Sequence, residues 1–528
     1  MSIASQQQSD PLAAIRRRLR VPPAVVIFLS LLFCFVTTAF FTIFMISKGI
    51  IPDLYWILRS GQYILDHGRL PTTDIFSWSM ADKPVLLYQW LFMVLTAAGE
   101  RLLGMHGLLL LTAAVSIGIY FVVPLLGAVP RRVPASFVIA LGGIGLAIIT
   151  VNIALRPMIA TSAMLLVQYV VIQRWRRGRL RLWRAAVLTG VTYLLWTNLH
   201  NGVALGFASL LFFAVGDLAE RLRLYPFDPA DPDIEGRPQP LRPYLLLAAA
   251  AGLASLVNPY GLGTFAHLVD YSSTKYLVDI INETQSPDFH FPQFVMFLIV
   301  ASGIVAAMPR ATRAIAAADL LHLVVFTAAT FTVLRMVVWA VLFFVLILPR
   351  VMHHCWTANA ADGVGLAGAV RRASVASRCG AAIASAGVLC TLAIWLLTAM
   401  PVLADRCEDV HEAIAAYARQ QRPGDRLFTT ALVGSCALAL DRPPRVFLDS
   451  RFDFYGEAFS KQVFETEALM PGWRELLDQW RIDTAIVERS QSLAQALVVD
   501  PEFTIVFADE TAVVARRIAP STVSDNRQ

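Results

Sequence analysis

The segment Ile51-Pro52-Asp53-Leu54-Tyr55-Trp56-Ile57-Leu58-Arg59-Ser60-Gly61-Gln62 puts a carboxylate, two aromatic rings and a cation close together, just after a long apolar run. A carboxylate there can take a proton from an acceptor hydroxyl while a cation holds phosphate. The same residues also fit a solvated loop acid followed by a surface helix, with Tyr55 and Trp56 as interfacial anchors. Downstream, Leu70-Pro71-Thr72-Thr73-Asp74-Ile75-Phe76-Ser77-Trp78, Lys83-Pro84 and Gln89-Trp90-Leu91 offer a second acid, a lysine and an amide for the same pocket, or only turn caps at Thr73 and Asp74. Arg156 and Arg335 lie at the ends of apolar runs, where a cation is costly unless paired or snorkelling. A phosphate clamp and an interfacial anchor are both open for them. His200, beside Asn198 and Asn201, fits either a site or a helix end, and Asp319 and His322 stand one helical turn apart as a relay or a structural pair. Asn282-Glu283-Thr284 matches the glycosylation sequon, a short pattern given little weight.

These residues need a bilayer to position them. Of 528 residues, 57% are hydrophobic and 16% charged, and the mean hydropathy is +0.60. A soluble chain could not hide that much apolar surface, so the class is an α-helical polytopic membrane protein. The 44 basic against 38 acidic residues then bear on orientation and not on nucleic acid, which is excluded as a partner. Six cysteines with no CxxC and no Cys/His cluster at ligand spacing exclude a thiolate metal module.

The run at 24–47 follows Arg16-Arg17-Arg18 and Arg20 and reads as an anchor with its N-terminus inside. Further runs lie near 106–128, 134–153, 158–173, 185–200, 203–219, 243–257, 292–309, 316–334, 336–349 and 380–400. Segment 88–104 either crosses or lies at the interface. If it does not cross, 22 arginines fall inside and, before the C-terminal domain, eight Lys/Arg outside. If it does, the cluster Arg174, Arg176, Arg177, Arg179, Arg181, Arg184 must be exported, against the positive-inside bias. The segment is therefore expected to be interfacial or re-entrant, with eleven spans, an inside N-terminus and an outside C-terminus. Acids then collect in two outer loops, 48–105 and 258–291.

Residues 1–401 form the expected membrane domain, and 402–528 a small extracytoplasmic α/β domain. In the latter, helices are expected at 408–421, 456–468, 473–480 and 490–498, and strands at Arg426–Thr430, Val446–Asp449, Thr484–Val487, Phe503–Phe507 and Ala512–Ala515. Cys407 and Cys436 share this domain, and an oxidising compartment would let them pair. Asp449, Arg451 and Asp453 form a charged cluster for internal pairing or acceptor contact, in a domain read as a lid or platform. It carries no nucleophile elbow, phosphate loop or dinucleotide fingerprint.

The ordered set Pro52-Asp53-Leu54-Tyr55-Trp56 with Leu58-Arg59-Ser60-Gly61-Gln62, His67-Gly68-Arg69-Leu70-Pro71, Thr73-Asp74, Phe76-Ser77 and Gln89-Trp90-Leu91 resembles the first outer loop of bacterial GT-C membrane glycosyltransferases, near the dolichyl-phosphate-mannose and aminoarabinose transferase group. The resemblance continues through Trp196–Gly202, Asn258–Gly261, Glu283–Phe289 and Asp449–Gly456. It implies an enzyme of a bacterial inner membrane that moves a sugar from a polyprenyl-phosphate donor to a glycan, lipid or protein acceptor at the outer face. By position, Asp53 is the implied general base, supported by Asp74, Gln89, His200, Glu283 and Asp288, with Arg59, Arg156 or Arg335 for the donor phosphate. No cofactor is fixed by the residues, and a divalent cation stays open. Where related sequences have His after the loop Trp this chain has Ile57, and in place of their His-Glu it has Tyr88-Gln89. A lipid-linked-sugar flippase lined by Arg156, Arg335 and Asp319, and a non-catalytic envelope assembly factor, are the rival readings.

Overall fold

The computed structural model describes residues 51–128, 135–149, 154–226, 236–273, 276, 279, 281–312, 315–362 and 407–518. The runs at 24–47 and 380–400 lie outside the described residues.

Helix α1 (Asp53–His67) buries Leu54, Ile57, Leu58, Gly61 and Ile64, one stripe at helical spacing. It ends at Gly68, whose φ of 64° is the left-handed conformation in which its N–H caps Ile64. The buried stripe rests on α2 (Trp90–Ile117), so closely that a Cβ on Gly61 would meet the Met93 carbonyl carbon at 2.6 Å. Inside α2, Gly104 leaves the helical region at φ 68°, ψ 172°. This break falls where the sequence separates an interfacial segment from a span, and Leu102 beside it is exposed.

The bundle continues through α3 (Val123–Ala128), α4 (Ala135–Ile149), α5 (Met158–Arg176), α6 (Leu182–Leu199), α7 (Val203–Arg221), α8 (Leu241–Ser255), α9 (Gly263–Ser273), α10 (Pro292–Ala311), α11 (Ala317–Thr332) and α12 (Val337–Asp362). Helix α12 is its axis: every side chain from Val337 to Val345 is buried, against α4, α10 and α11. A helix apolar all round has no face for water. By length and composition, four helices among the described residues can cross a bilayer: Trp90–Gly127, Val203–Arg221, Pro292–Pro309 and Leu334–Cys355.

At the inner end of the expected topology the charges pair. Arg176 meets Asp217 at 2.5 Å, and Tyr244 donates to Asp217 at 2.6 Å. Asp319 accepts from Tyr169 at 2.8 Å and pairs with Arg350 at 3.1 Å. His322 turns instead to the Ser209 hydroxyl at 2.8 Å, so Asp319 and His322 serve two separate structural contacts.

After α13 (Cys407–Gln420), the C-terminal unit alternates β1 (Leu427–Thr429), α14 (Ala431–Ala437), α15 (Phe452–Tyr455), α16 (Glu457–Glu467), α17 (Trp473–Gln479), β2 (Thr484–Glu488), α18 (Ser492–Val499), β3 (Phe503–Ala508) and β4 (Ala512–Arg517). The sheet order is β1-β2-β4-β3, with β1 parallel to β2 and the other pairs antiparallel. A disulfide joins Cys407 to Cys436. Val446–Asp449, expected as a strand, is not one. Val446 bridges Ser77 of the first loop, exchanging main-chain hydrogen bonds of 3.0 Å with Phe76 and Trp78.

Candidate active site at the junction of bundle and sheet

The first loop is fastened to the C-terminal unit by side chains as well as backbone. The buried Arg451 reaches Asp74 at 2.6 Å with one Nη and Asp449 at 2.6 Å with the other. Asp74 also accepts from the backbone and hydroxyl of Ser77, at 2.8 and 2.6 Å. Burial opposes its charge, but Arg451 and the Ser77 hydrogen bonds together hold the Asp74 carboxyl below the ordinary value of 3.8. Lys83 donates to the carbonyls of Phe454 and Tyr455. Arg59 donates to the carbonyls of Leu438, Ala439 and Leu440, in the turn just past the end of α14. The cluster Asp449, Arg451, Asp453 thus divides: the first two pair with each other and across to the bundle, and Asp453 turns elsewhere.

Beside this seam opens a cavity of about 540 Å³ whose walls include Asp53, Arg156, His200, Asn201, Glu283 and Arg335. These six come from α1, the turn before α5, the end of α6, the second loop and the turn before α12. Arg59, Asp74, Lys83, Gln89 and Asp288 do not line it. The first three fasten the seam, Gln89 is buried at the start of α2, and Asp288 is exposed beside His290. Sequence reasoning passed over His267 and Trp339, treated Tyr88 only as a departure from the related sequences, and read the C-terminal unit as a lid or platform; in the structure Ser450, Phe452 and Asp453 are part of the wall.

Asp53 opens the first turn of α1, where the helix dipole favours a carboxylate. Arg156 lies between two acids: one Nη is 3.2 Å from Asp53 and the other contacts Glu283. Ser435 donates to the Ser450 hydroxyl at 3.0 Å, and Ser450 in turn bonds Asp53. Burial raises the Asp53 pKa above 3.8, and Arg156 only partly opposes it. Glu283 ends on the other side: burial pushes it up, but Arg156 and then Arg335 bring it below 4.5. One member of the pair therefore holds its charge firmly while the other takes a proton more readily.

The His200 Nδ1 receives hydrogen bonds from Thr161 at 2.7 Å and from the Gly202 N–H at 3.2 Å. Because Thr161 already accepts from Trp196 Nε1, the network assigns the ring hydrogen to Nε2. Gly202 is required there, since a Cβ would lie 2.9 Å from His200 Nδ1. Among the described residues, the Arg335 guanidinium has no hydrogen bond or ion pair, and the buried Arg335 Nε, Trp339 Nε1 and Asn201 Oδ1 are unsatisfied. Orphaned polar atoms around one cavity mark a place for a polar ligand. No three His, Cys, Asp or Glu among the described residues gather as metal ligands. Ile57, at the position of the related sequences' His, is buried in the α1–α2 packing.

No family model matches the sequence and no curated protein matches it. Solved structures do. ArnT from Cupriavidus metallidurans bound to undecaprenyl phosphate superposes with a TM-score of 0.53 at 14% identity, covering 93% of this chain and 98% of that one. The Archaeoglobus fulgidus oligosaccharyltransferase tethered to an acceptor peptide has a TM-score of 0.56 at 11% identity, covering 87% and 69%. The same archaeal enzyme, AglB, with an inhibitory peptide and dolichol-phosphate, has a TM-score of 0.52. Across nearly its whole length, the chain shares the fold of these solved structures, ArnT and the archaeal oligosaccharyltransferase.

Proposed function

We propose that this protein is a membrane glycosyltransferase that moves a sugar from a polyprenyl-phosphate donor to a hydroxyl-bearing acceptor. The observation that carries the reading is the sharing of one cavity by Asp53 and an Arg335 guanidinium with no hydrogen bond or ion pair among the described residues. The acceptor oxygen attacks the anomeric carbon, its proton passes to the Asp53 carboxylate, and the bond from that carbon to the phosphate oxygen breaks. A single displacement inverts the anomeric centre. The leaving polyprenyl phosphate gains charge, which Arg335 stabilises, with the His200 Nε2–H as a neutral donor on the same wall. Arg156 does not serve as the clamp, because its two Nη groups are engaged by Asp53 and Glu283; it sets the charge of the base. The polyprenyl phosphates bound by ArnT and AglB support this donor class.

The accompanying topology is that of a bacterial inner-membrane protein with eleven spans, an inside N-terminus and the 402–528 domain outside, where the cavity faces. A flippase path through Arg156, Arg335 and Asp319 lacks its third member, since Asp319 is buried in contacts with Tyr169 and Arg350. The test is Asp53→Asn in purified protein supplied with mixed polyprenyl-phosphate sugars. Transfer is abolished while expression and Tm are retained, and normal turnover discards the mechanism.

A further inference from the structure

The cavity carries a second polar group, built by three elements that the proton-transfer chemistry does not use. Asp453 Oδ2 accepts from the Tyr88 hydroxyl at 3.2 Å and faces His267 Nε2 at 3.3 Å. The Tyr88 and His267 rings lie 5.2 Å apart and tilted, and Phe452 joins the same wall. Asp453 and His267 keep only 24% and 21% of their side chains accessible, so what they meet is the cavity and not bulk water. Each partner is fixed from behind: Asp453 follows the Arg451 anchor, Tyr88 precedes the buried Gln89, and His267 rides on α9.

The chemistry of this corner differs from that around Arg335. A carboxylate only accepts hydrogen bonds, and a hydroxyl pair on a sugar ring supplies two donors in the spacing of its two oxygens. Tilted aromatic rings give a flat apolar surface for the C–H face of a pyranose. Tyr88 and His267 already share the charge on Oδ2, which favours neutral hydroxyl donors over a cationic amino group. Tyr88 also stands at one of the positions where the chain departs from the GT-C pattern, and that position is part of this wall.

Resting on the transferase reading, we infer that Tyr88, His267 and Asp453 form a sugar-recognition subsite for a neutral pyranose hydroxyl pair, so that the C-terminal unit helps select the sugar. The subsite serves either the donor's sugar or an acceptor sugar, and binding measurements separate the two. The probes are undecaprenyl phosphate, its glucosyl, mannosyl and galactosyl derivatives, and the matching methyl hexosides, each titrated into the full chain in nanodiscs. At least one sugar-bearing probe discriminates: Asp453→Asn and Tyr88→Phe weaken it about tenfold, the loss expected for a hydrogen bond to a charged group. Bare undecaprenyl phosphate binds both variants within about twofold of the unaltered chain. A loss confined to glycosylated lipids assigns the donor sugar, and one confined to methyl hexosides assigns the acceptor sugar. Unchanged binding of every sugar-bearing probe, or no sugar preference in the unaltered protein, overturns the subsite. Failure of bare undecaprenyl phosphate to bind, or its equal binding by Arg335→Ala, overturns the transferase reading instead.

Discussion

Asp53 and Glu283 share one guanidinium and end with opposite shifts, and that asymmetry fixes a pH dependence. A base whose pKa is raised stays protonated to higher pH, so the rate is full above that pKa and falls as pH drops through it. The acid limb of kcat/KM is therefore expected above the ordinary 3.8 of an aspartate. Arg156 is the larger of the two influences that lower Asp53, the other being Ser450, so Arg156→Gln should move the limb to still higher pH as well as slowing transfer. A limb that stays in place under that substitution would separate Asp53 from the rate-controlling proton. Arg335→Ala should cost about 1.5–3 kcal/mol of donor affinity, the range for a charge-assisted bond, read by titration with undecaprenyl phosphate.

At the level of elements, the contact between α1 and α2 and the seam around Arg451 hold Asp53 in place. Gly61→Val drives a branched side chain into the Met93 backbone and is expected to destabilise by about 1–3 kcal/mol, visible as a lower Tm. Breaking the buried pair with Asp74→Ala still leaves Arg451 paired with Asp449 and should cost about 1.5–3 kcal/mol, the range for a charge-assisted hydrogen bond. Burial, reinforced by the charge of Glu488, raises Glu467 of α16 to about 8. Its proton is therefore held more tightly in the folded state, so stability is greatest below the unfolded value of 4.5 and declines as pH rises from there toward 8. Glu467→Gln should flatten that slope in a Tm-versus-pH series, and an unchanged slope would assign it to other groups.

For the whole molecule, the C-terminal unit helps wall the candidate site: Arg451, Lys83 and Arg59 bind it to the bundle while Ser450 and Asp453 line the cavity. The proposed topology has a direct check. Alkaline phosphatase fused after Met105 should be active and, after Arg132, inactive, because the enzyme matures only outside the cytoplasm. The reverse pattern would turn the cavity inward and remove any outer-face acceptor.

Much of this was legible without coordinates, because it follows from period and from local order along the chain. Within the described residues the apolar runs are helices and the alternating tail holds a small sheet, and in the sequence Asp53 comes directly after an anchor-like run, since burial acts on every residue of a stripe at once. What the sequence could not contain was distance. Whether Arg59, Lys83 and Asp74 face a substrate or a neighbouring unit depends on where residues some 370 positions away arrive. The Val446 segment looked like a strand but pairs with the loop at Ser77, because main-chain hydrogen bonds can be met by any edge that tertiary packing brings near. His267 had no motif around it. It joins Asp453 and Tyr88 only because three separate elements converge on one cavity, and convergence of that kind leaves no spacing to read.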